Sequence, residues 1–145
     1  MKIEISIVIA WNGSARSPKS ARSSESARSP EHKSLNKCLE ALLAPRMRLT
    51  RPSPSVQVIL SIGSKPRGMK VDSYLDDLNR SSVELIQFDE PVSLPLLRQA
   101  GIEKAQGDVI VMLDPYAIVE ENWLEELREA HARHPHLAIG GAVGL

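Results

Sequence analysis

The fold of this chain is decided by residues 107–116, which read Gly-Asp-Val-Ile-Val-Met-Leu-Asp-Pro-Tyr. Five consecutive apolar residues lie between a turn signal and an acidic residue. A short apolar run that is rich in β-branched residues predicts a strand buried on both faces, as in a parallel sheet covered by helices. Ligands of such sheets bind outside the carboxyl ends of the strands. Asp114 is therefore expected at the edge where a ligand would bind.

Working outward from this stretch, other apolar runs predict further strands, and amphipathic runs predict helices between them. The further strands are expected at Ile3–Ala10, Val56–Leu60, Val83–Phe88 and Leu137–Val143. The helices are expected after Ser34 to Leu43, near Asp72 to Leu78, from about Ser93 to Ala105, and from Glu120 to His134. Strands that alternate with helices predict an α/β fold: a Rossmann-like three-layer sandwich with a mostly parallel sheet.

The topology predicts that four loops gather at one edge of this sheet. These loops are residues 11–13, 61–64, 89–90 and 114–116, each of which follows a predicted strand. A pocket is expected where they meet, because the carboxyl ends of parallel strands share one edge. The fold by itself identifies no particular ligand.

Length and composition narrow the class of protein. The 145 residues are enough for one domain with a hydrophobic core, and 18 basic residues balance 18 acidic ones, so no nucleic-acid partner is expected. Cys38 is the single cysteine, which excludes an internal disulfide framework. No apolar run reaches the roughly 20 residues of a membrane helix. A cytoplasmic protein without a transmembrane segment is expected.

Residues 14–33 differ in composition from the rest of the chain. One hexapeptide is written three times with small changes, at residues 14–19, 20–25 and 26–31, and it is rich in Ser, Arg and Pro. It contains no apolar side chain larger than alanine, so it cannot offset the entropy of ordering itself. We predict a low-complexity insert that serves as a solvated loop, with phosphorylation or contact with phosphates as the alternatives.

The order of motifs resembles glycosyltransferase family 2, which has the GT-A fold. The motifs are Trp-Asn-Gly at 11–13, Cys-Leu-Glu-Ala-Leu-Leu at 38–43, Gly-Ser at 63–64, Arg-Gln-Ala-Gly-Ile at 98–102 and the run at 107–114. The resemblance covers most of the chain outside the insert and implies a single domain over residues 1–145. It corresponds to the donor-binding half of the family's catalytic domain.

The resemblance implies a set of site residues for a nucleotide-diphosphate sugar. Trp11 and Asn12 would border the base and ribose, and Asp114 matches the first aspartate of the family's Asp-X-Asp motif. Residues 61–64 stand where the family carries Asp-Asp-Gly-Ser or Asp-Asn-Gly-Ser, so only Gly63 and Ser64 match. The family's acidic residue that reads a uracil edge is missing here. Further site residues implied in the same way are Arg98, near the donor phosphates, and Tyr116.

Tyr116 stands where the family's metal-binding aspartate is expected. A diphosphate leaving group needs a cation, and Mg²⁺ or Mn²⁺ prefers carboxylate oxygens to a neutral phenol. Two alternatives follow. Asp114 alone could hold the metal weakly together with the phosphates, or Arg98, Lys65 or Arg67 could supply positive charge without a metal.

By resemblance, the reaction would be an inverting glycosyl transfer to an acceptor hydroxyl, which needs a general base. The family's base lies beyond the region that this sequence matches, so no catalytic residue is assigned, and a partner chain is a candidate source of the acceptor half. The alternative is a non-catalytic relative that binds a nucleotide or a partner. A Rossmann-like module for another nucleotide is disfavoured, because no Gly-X-Gly-X-X-Gly follows the first strand.

Overall fold

The computed structural model describes residues 2–12, 30–43, 56–63 and 83–140. Four strands and three helices lie within these ranges. In chain order they are β1 (Ile5–Trp11), α1 (Pro30–Leu43), β2 (Val56–Ile62), β3 (Val83–Gln87), α2 (Leu94–Lys104), β4 (Val109–Leu113) and α3 (Trp123–Arg133). The expected α/β class is therefore confirmed. The helix expected near residues 72–78 and most of the expected insert lie outside the described residues.

The four strands form one sheet in the order β3-β2-β1-β4, and every neighbouring pair is parallel. The register places Ile9 of β1 opposite Leu60 of β2 on one side and opposite Leu113 of β4 on the other. Because all four strands point the same way, their carboxyl ends lie along the same edge of the sheet.

One face of the sheet forms the main hydrophobic core. Alternate side chains of β1 and β2 pack there against α1 and Leu124 of α3, because successive residues of a strand point to opposite faces. The buried members of this core are Ile5, Ile7, Ile9, Trp11, Leu35, Cys38, Leu39, Leu42, Val58, Leu60, Ile62 and Leu124. Trp123 and Leu127 of α3 pack against them, as the helical spacing of these residues predicts.

The opposite face is covered by α2, whose buried residues are Leu97 and Gly101. A Cβ atom added at Gly101 would collide with the Val8 side chain, so the helix backbone lies directly on β1. Ser93 is the N-cap of α2 and Pro95 lies in its first turn, which confirms the helix expected from about Ser93 to Ala105. Proline is tolerated there because the first helical N–H groups have no partner within the helix.

A buried polar cluster holds the segment after α2 against this second face. The Ser6 hydroxyl donates to Gln57 Oε1 at 2.6 Å, and Gln57 Nε2 donates to Glu84 Oε1 at 2.7 Å. The N–H groups of Gln106 and Gly107 donate to Ser6 Oγ at 3.2 and 2.8 Å. Polar groups that are removed from water need such partners, so the cluster fixes the chain where it enters β4.

The prediction that the strand within residues 107–116 is buried on both faces is wrong. Ile110 and Met112 are 43% and 44% exposed, and the other three side chains of the strand are partly buried. The reason is topological, since β4 lies at the edge of the described sheet beside β1 alone. It is β1 whose seven residues are all buried.

Several predicted boundaries also differ from the structure. Strand β1 runs from Ile5 to Trp11 instead of Ile3 to Ala10, β2 continues to Ile62, and β3 ends at Gln87, so the expected loops 11–13 and 61–64 begin later than predicted. Helix α1 begins at Pro30 rather than after Ser34, so it includes the last residues assigned to the insert; proline is favoured at the first helical position. Helix α3 begins at Trp123 instead of Glu120, with Asn122 as its N-cap.

The last expected strand is not formed at residues 137–140, which pair with no strand of the described sheet. Residues 141–143 of that strand lie outside the described residues.

Candidate functional site

The ends of β1 and β2 meet at the carboxyl edge of the sheet. The N–H of Gly63, which follows β2, donates to the carbonyl oxygen of Trp11 at 3.1 Å. A Cβ atom at Gly63 would lie 3.2 Å from the backbone oxygen of Asn12, which is tighter than ordinary contact. Glycine therefore lets these two strand ends approach each other closely.

The end of β4 reaches the same edge. Leu113 pairs with Ile9, so the next residue, Asp114, lies at the level of Ala10, one residue before Trp11. We refer to Trp11–Asn12, Gly63 and Asp114–Tyr116 together as the rim. The expectation that these three strand exits share one edge is confirmed by the parallel register. The exit of β3 follows at the far end, where the N–H of Phe88 donates to the carbonyl oxygen of Ile62 at 3.1 Å.

Asp114 organises a turn at the rim. Its Oδ1 atom accepts the N–H of Tyr116 at 2.8 Å, and its carbonyl oxygen accepts the N–H of Ala117 at 3.0 Å. A side-chain carboxylate that bonds the backbone two residues on is an Asx turn, which mimics a backbone turn. Pro115 is buried inside this turn, while Asp114 and Tyr116 are exposed.

Cys38 of α1 supports the turn from below. Its Sγ atom lies 3.7 Å from the carbonyl oxygen of Asp114, close enough for a weak hydrogen bond from the thiol. Burial, and next the negative charge of Asp114, raise the pKa of the Cys38 thiol to about 11. The thiol therefore stays protonated at neutral pH and acts as a donor rather than a nucleophile. The sequence predicted Cys38 as a core residue, which is confirmed, but gave no signal of its contact with Asp114.

The other predicted site residues occupy different environments. Trp11 is 2% exposed and belongs to the hydrophobic core, so its indole packs under the rim instead of lining it. Asn12 is half-buried at the rim, and Tyr116 is 53% exposed. Arg98 is exposed in the second turn of α2. Ser64 lies outside the described residues, as do Lys65 and Arg67.

Ser61 is a buried polar residue just below the rim that the sequence did not single out. It pairs with Ala10 and Ile86 on the two neighbouring strands and is fully buried. Its hydroxyl has no hydrogen-bond partner within the described parts of the chain. The only sequence signal is a serine among apolar residues near the end of β2.

A sequence profile decides the family of this chain. The profile described as "Glycosyl transferase family 2" matches residues 31–144, which is most of the chain. The chain belongs to glycosyl transferase family 2. The match begins after Trp11 and Asn12, so within the rim it covers Gly63 and the turn at Asp114 but not the end of β1.

Two curated proteins illustrate the relationship. The chain is 28% identical over 113 residues to a glucosyl-dolichyl phosphate glucuronosyltransferase of Haloferax volcanii, an alignment that covers 77% of this chain and 34% of the relative. It is 33% identical over 70 residues to an inactive polypeptide N-acetylgalactosaminyltransferase-like protein 5 of Macaca fascicularis, which covers 48% of this chain and 16% of that protein. The chain thus spans about a third or less of the length of these relatives.

Two solved structures have a similar fold. A crystal structure of S. aureus TarS 1-349 superposes with a TM-score of 0.62 at 11% identity, covering 92% of this chain and 33% of that one. A second structure of S. aureus TarS gives a TM-score of 0.59 at 12% identity, covering 92% and 20%. At this level of identity the likeness shows the fold alone. It agrees with the GT-A-like, Rossmann-like fold that the family resemblance implied.

The family 2 resemblance implies a divalent cation at the rim, but the side chains there do not fit one. The turn offers one carboxylate, Asp114, and one phenol, Tyr116, whereas Mg²⁺ and Mn²⁺ prefer several carboxylate oxygens. Within residues 2–12, 30–43, 56–63 and 83–140, no three His, Cys, Asp or Glu residues are grouped so that they could hold a metal ion.

Among the helices of the described ranges, none combines the length and the apolar character that a membrane span requires.

Proposed function

We propose that this family 2 chain binds a nucleotide-diphosphate sugar at the rim. The observation that carries the proposal is the convergence of three strand exits at one edge of a parallel sheet, the edge where such sheets bind ligands. Family membership supports the class of ligand. The donor's sugar and base stay unassigned, because residues 61–64 lack the acidic residue that the family resemblance led us to expect.

In this proposal the rim residues have distinct roles. Gly63 keeps side-chain atoms away from the junction with Asn12, so that a ribose or a flat base can approach the backbone. Tyr116 presents an exposed aromatic ring after the end of β4, and Arg98 supplies a permanent positive charge for the phosphates. Ser64 contributes a hydroxyl group on the strength of the resemblance. Trp11 contributes its backbone at the rim, with its side chain in the core, and Asp114 holds the turn that positions Tyr116.

The ancestral reaction is an inverting glycosyl transfer. An acceptor hydroxyl oxygen bonds to the anomeric carbon, the bond to the diphosphate breaks, and the hydroxyl proton passes to a general base. We assign no such base in this chain, which we treat as one donor-half domain. A partner chain that supplies the acceptor half, and a cytoplasmic location, belong to the same proposal. Cell fractionation that finds the protein only outside the cytoplasm would refute the location.

The second candidate is a non-catalytic relative that binds a nucleotide or a partner and transfers nothing. Two observations favour it: Tyr116 replaces a metal-binding carboxylate, and one of the similar curated proteins is described as inactive. The two candidates differ in chemistry at a single step. Release of nucleoside diphosphate from a donor sugar by the isolated chain would support the enzyme, and binding without release would support the non-catalytic relative.

Calorimetric titration with a panel of nucleoside diphosphates tests whether the rim binds the donor. We expect Gly63→Val to weaken binding by about ten-fold, because its side chain would fill the space beside Asn12. Gly140→Val is the matched control, since a Cβ at Gly140 meets nothing within 4 Å, and it should leave the affinity unchanged. Circular dichroism would verify that both variants fold. No binding by the unmodified chain, or equal binding by both variants, would refute the rim as the site.

A further inference from the structure

We propose that the rim lacks the divalent-cation site of its family, that Asp114 serves instead as the residue that holds the turn at 114–117, and that the rim binds its anionic ligand without Mg²⁺ or Mn²⁺. The statement about the ligand rests on the proposed function. The missing cation site and the role of Asp114 in the turn do not depend on the proposed function, because both are argued from the side chains alone.

First, Asp114 already makes hydrogen bonds within its own turn. Its Oδ1 atom accepts the Tyr116 N–H at 2.8 Å, and its carbonyl oxygen accepts the Ala117 N–H and faces the Cys38 thiol. A cation on Oδ1 would lie beside the positive end of the Tyr116 N–H dipole. Asp114 thus closes the turn after β4 through Oδ1, and its carbonyl oxygen joins the turn to α1.

The second step concerns the number of oxygen ligands. Mg²⁺ requires six ligands in near-ideal octahedral geometry and is usually held by one or two carboxylates together with the substrate phosphates. Tyr116 provides a phenol in place of a carboxylate, and its ring is 53% exposed. In the described ranges no further group of acidic residues, histidines or cysteines completes a site. We therefore expect one exposed carboxylate to bind a divalent cation with a dissociation constant of about 1 mM or higher.

The third step concerns the charge that takes the cation's place. Arg98 lies in the second turn of α2, the helix that starts on the carboxyl side of the sheet after β3. Its guanidinium is always protonated and can donate two parallel hydrogen bonds to a phosphate group. An arginine side chain can therefore bind a diphosphate without a metal ion. The loss of the second carboxylate is then compatible with a working anion site.

Binding of Mn²⁺ to the intact chain, followed by electron paramagnetic resonance, tests the missing cation site without any nucleotide. We expect no binding below about 1 mM for the unmodified chain and at least a ten-fold gain for Tyr116→Asp, which restores a second carboxylate. Tyr116→Asn is the matched control, because it has the same size without the charge. Mn²⁺ binding by the unmodified chain that Asp114→Asn abolishes would overturn the inference. So would a Tyr116→Asp variant that gains nothing.

Thermal unfolding of two Asp114 variants tests the turn. An asparagine oxygen accepts the same N–H, so Asp114→Asn should keep the melting temperature, whereas Asp114→Ala should lower it by about 4 °C through loss of that bond. If Asp114 served metal binding alone, neither variant would lower the melting temperature. Equal melting temperatures for Asn and Ala would therefore refute the structural role.

Calorimetric titration with UDP, GDP, ADP, CDP and dTDP, each in EDTA and in MnCl₂, gives two dissociation constants for every nucleotide that binds and tests whether the ligand binds without a metal ion. The two dissociation constants should agree within about two-fold, whereas binding about ten-fold tighter with Mn²⁺ would overturn metal-independent recognition. Repeating the titration with Arg98→Gln should weaken binding in both solutions, and an unchanged affinity would refute the role of Arg98. No binding of any of these nucleotides in either solution would refute the proposed function, and the Mn²⁺ and unfolding experiments would still decide the cation site and the turn.

Discussion

β1 and β4 are hydrogen-bonded neighbours with similar apolar sequences and different surroundings. All seven residues of β1 are buried, and Ile7 has no exposed surface. β4 alternates between partly buried and exposed side chains. The difference arises because β1 has a strand on each side and helices over both faces, while β4 pairs with β1 alone in the described sheet.

The comparison teaches that apolar composition does not determine burial. Val109, Val111 and Leu113 pack against the main core on the face of α1 and α3. Ile110 and Met112 project from the other face, where α2 lies over β1 and β2. A strand whose sequence is apolar throughout can therefore be buried on one face only, because the helices that cover a strand come from other parts of the chain.

The largest expected effect comes from truncating the same side chain in the two strands. Ile7→Ala leaves a cavity in a closed core and should lower the free energy of unfolding by about 2–5 kcal/mol. Ile110→Ala removes a side chain that is already 43% exposed, so the loss should stay below about 1 kcal/mol. Urea denaturation of both variants measures the difference. Equal losses would show that something in solution covers β4 as completely as β1.

A smaller effect is expected where β4 is attached to β1. A Cβ atom on Gly107 would lie 2.6 Å from the backbone nitrogen of Ser6 and 2.9 Å from its hydroxyl oxygen. Gly107→Ala should therefore push β4 away from β1 and cost about 1–3 kcal/mol. Gly140→Ala, at an open position, provides the control. If both variants unfold at the same urea concentration, the close approach at residue 107 does not hold β4.

The smallest effect concerns Cys38 and pH. Its thiol has a usual pKa of 9.0, which the fold raises to about 11. Between these values the unfolded chain releases a proton that the folded chain keeps, so this contribution to stability is complete below pH 9 and decreases as the pH rises towards 11. At about pH 10 the loss should be about 1 kcal/mol after allowance for solvent screening.

Unfolding in urea at about pH 8 and pH 10 measures that loss, with Cys38→Ala as the control. The variant keeps every other titrating group, so subtracting its pH dependence isolates the thiol. An identical pH dependence in both proteins would show that the thiol is more exposed to water than its buried position implies.

Local sequence signals predicted most of the elements. The apolar runs located β1 to β4, and Ser93 with Pro95 located the start of α2. The order of the strands could not be read from the runs, and this is why residues 109–113 were predicted to be buried on both faces. The last strand was predicted from apolar residues at 137–143, but a strand needs a neighbour, and residues 137–140 have none in the described sheet.

The site was predictable to the extent that it follows from topology. Parallel strands required the exits at Asn12, Gly63 and Asp114 to lie along one edge, and the register confirms this. The roles of the side chains needed coordinates. An acidic residue after a strand can bind a ligand or close a turn, and only the 2.8 Å bond from the Tyr116 N–H to Asp114 shows the second role. The burial of Trp11 could not be predicted either, because tryptophan occurs both in hydrophobic cores and at binding sites.

Because β4 pairs with β1 alone in the described sheet, its backbone amides should exchange with deuterated water at two different rates. The N–H of Val109 donates to the carbonyl oxygen of Glu4, and in a parallel ladder this orientation recurs at every second residue. The amides of Val109, Val111 and Leu113 are thus shielded between strands, whereas those of Ile110 and Met112 face outward. Deuterium should enter the strand at alternate positions, and slow exchange at residues 110 and 112 would reveal a strand bound along the outer edge.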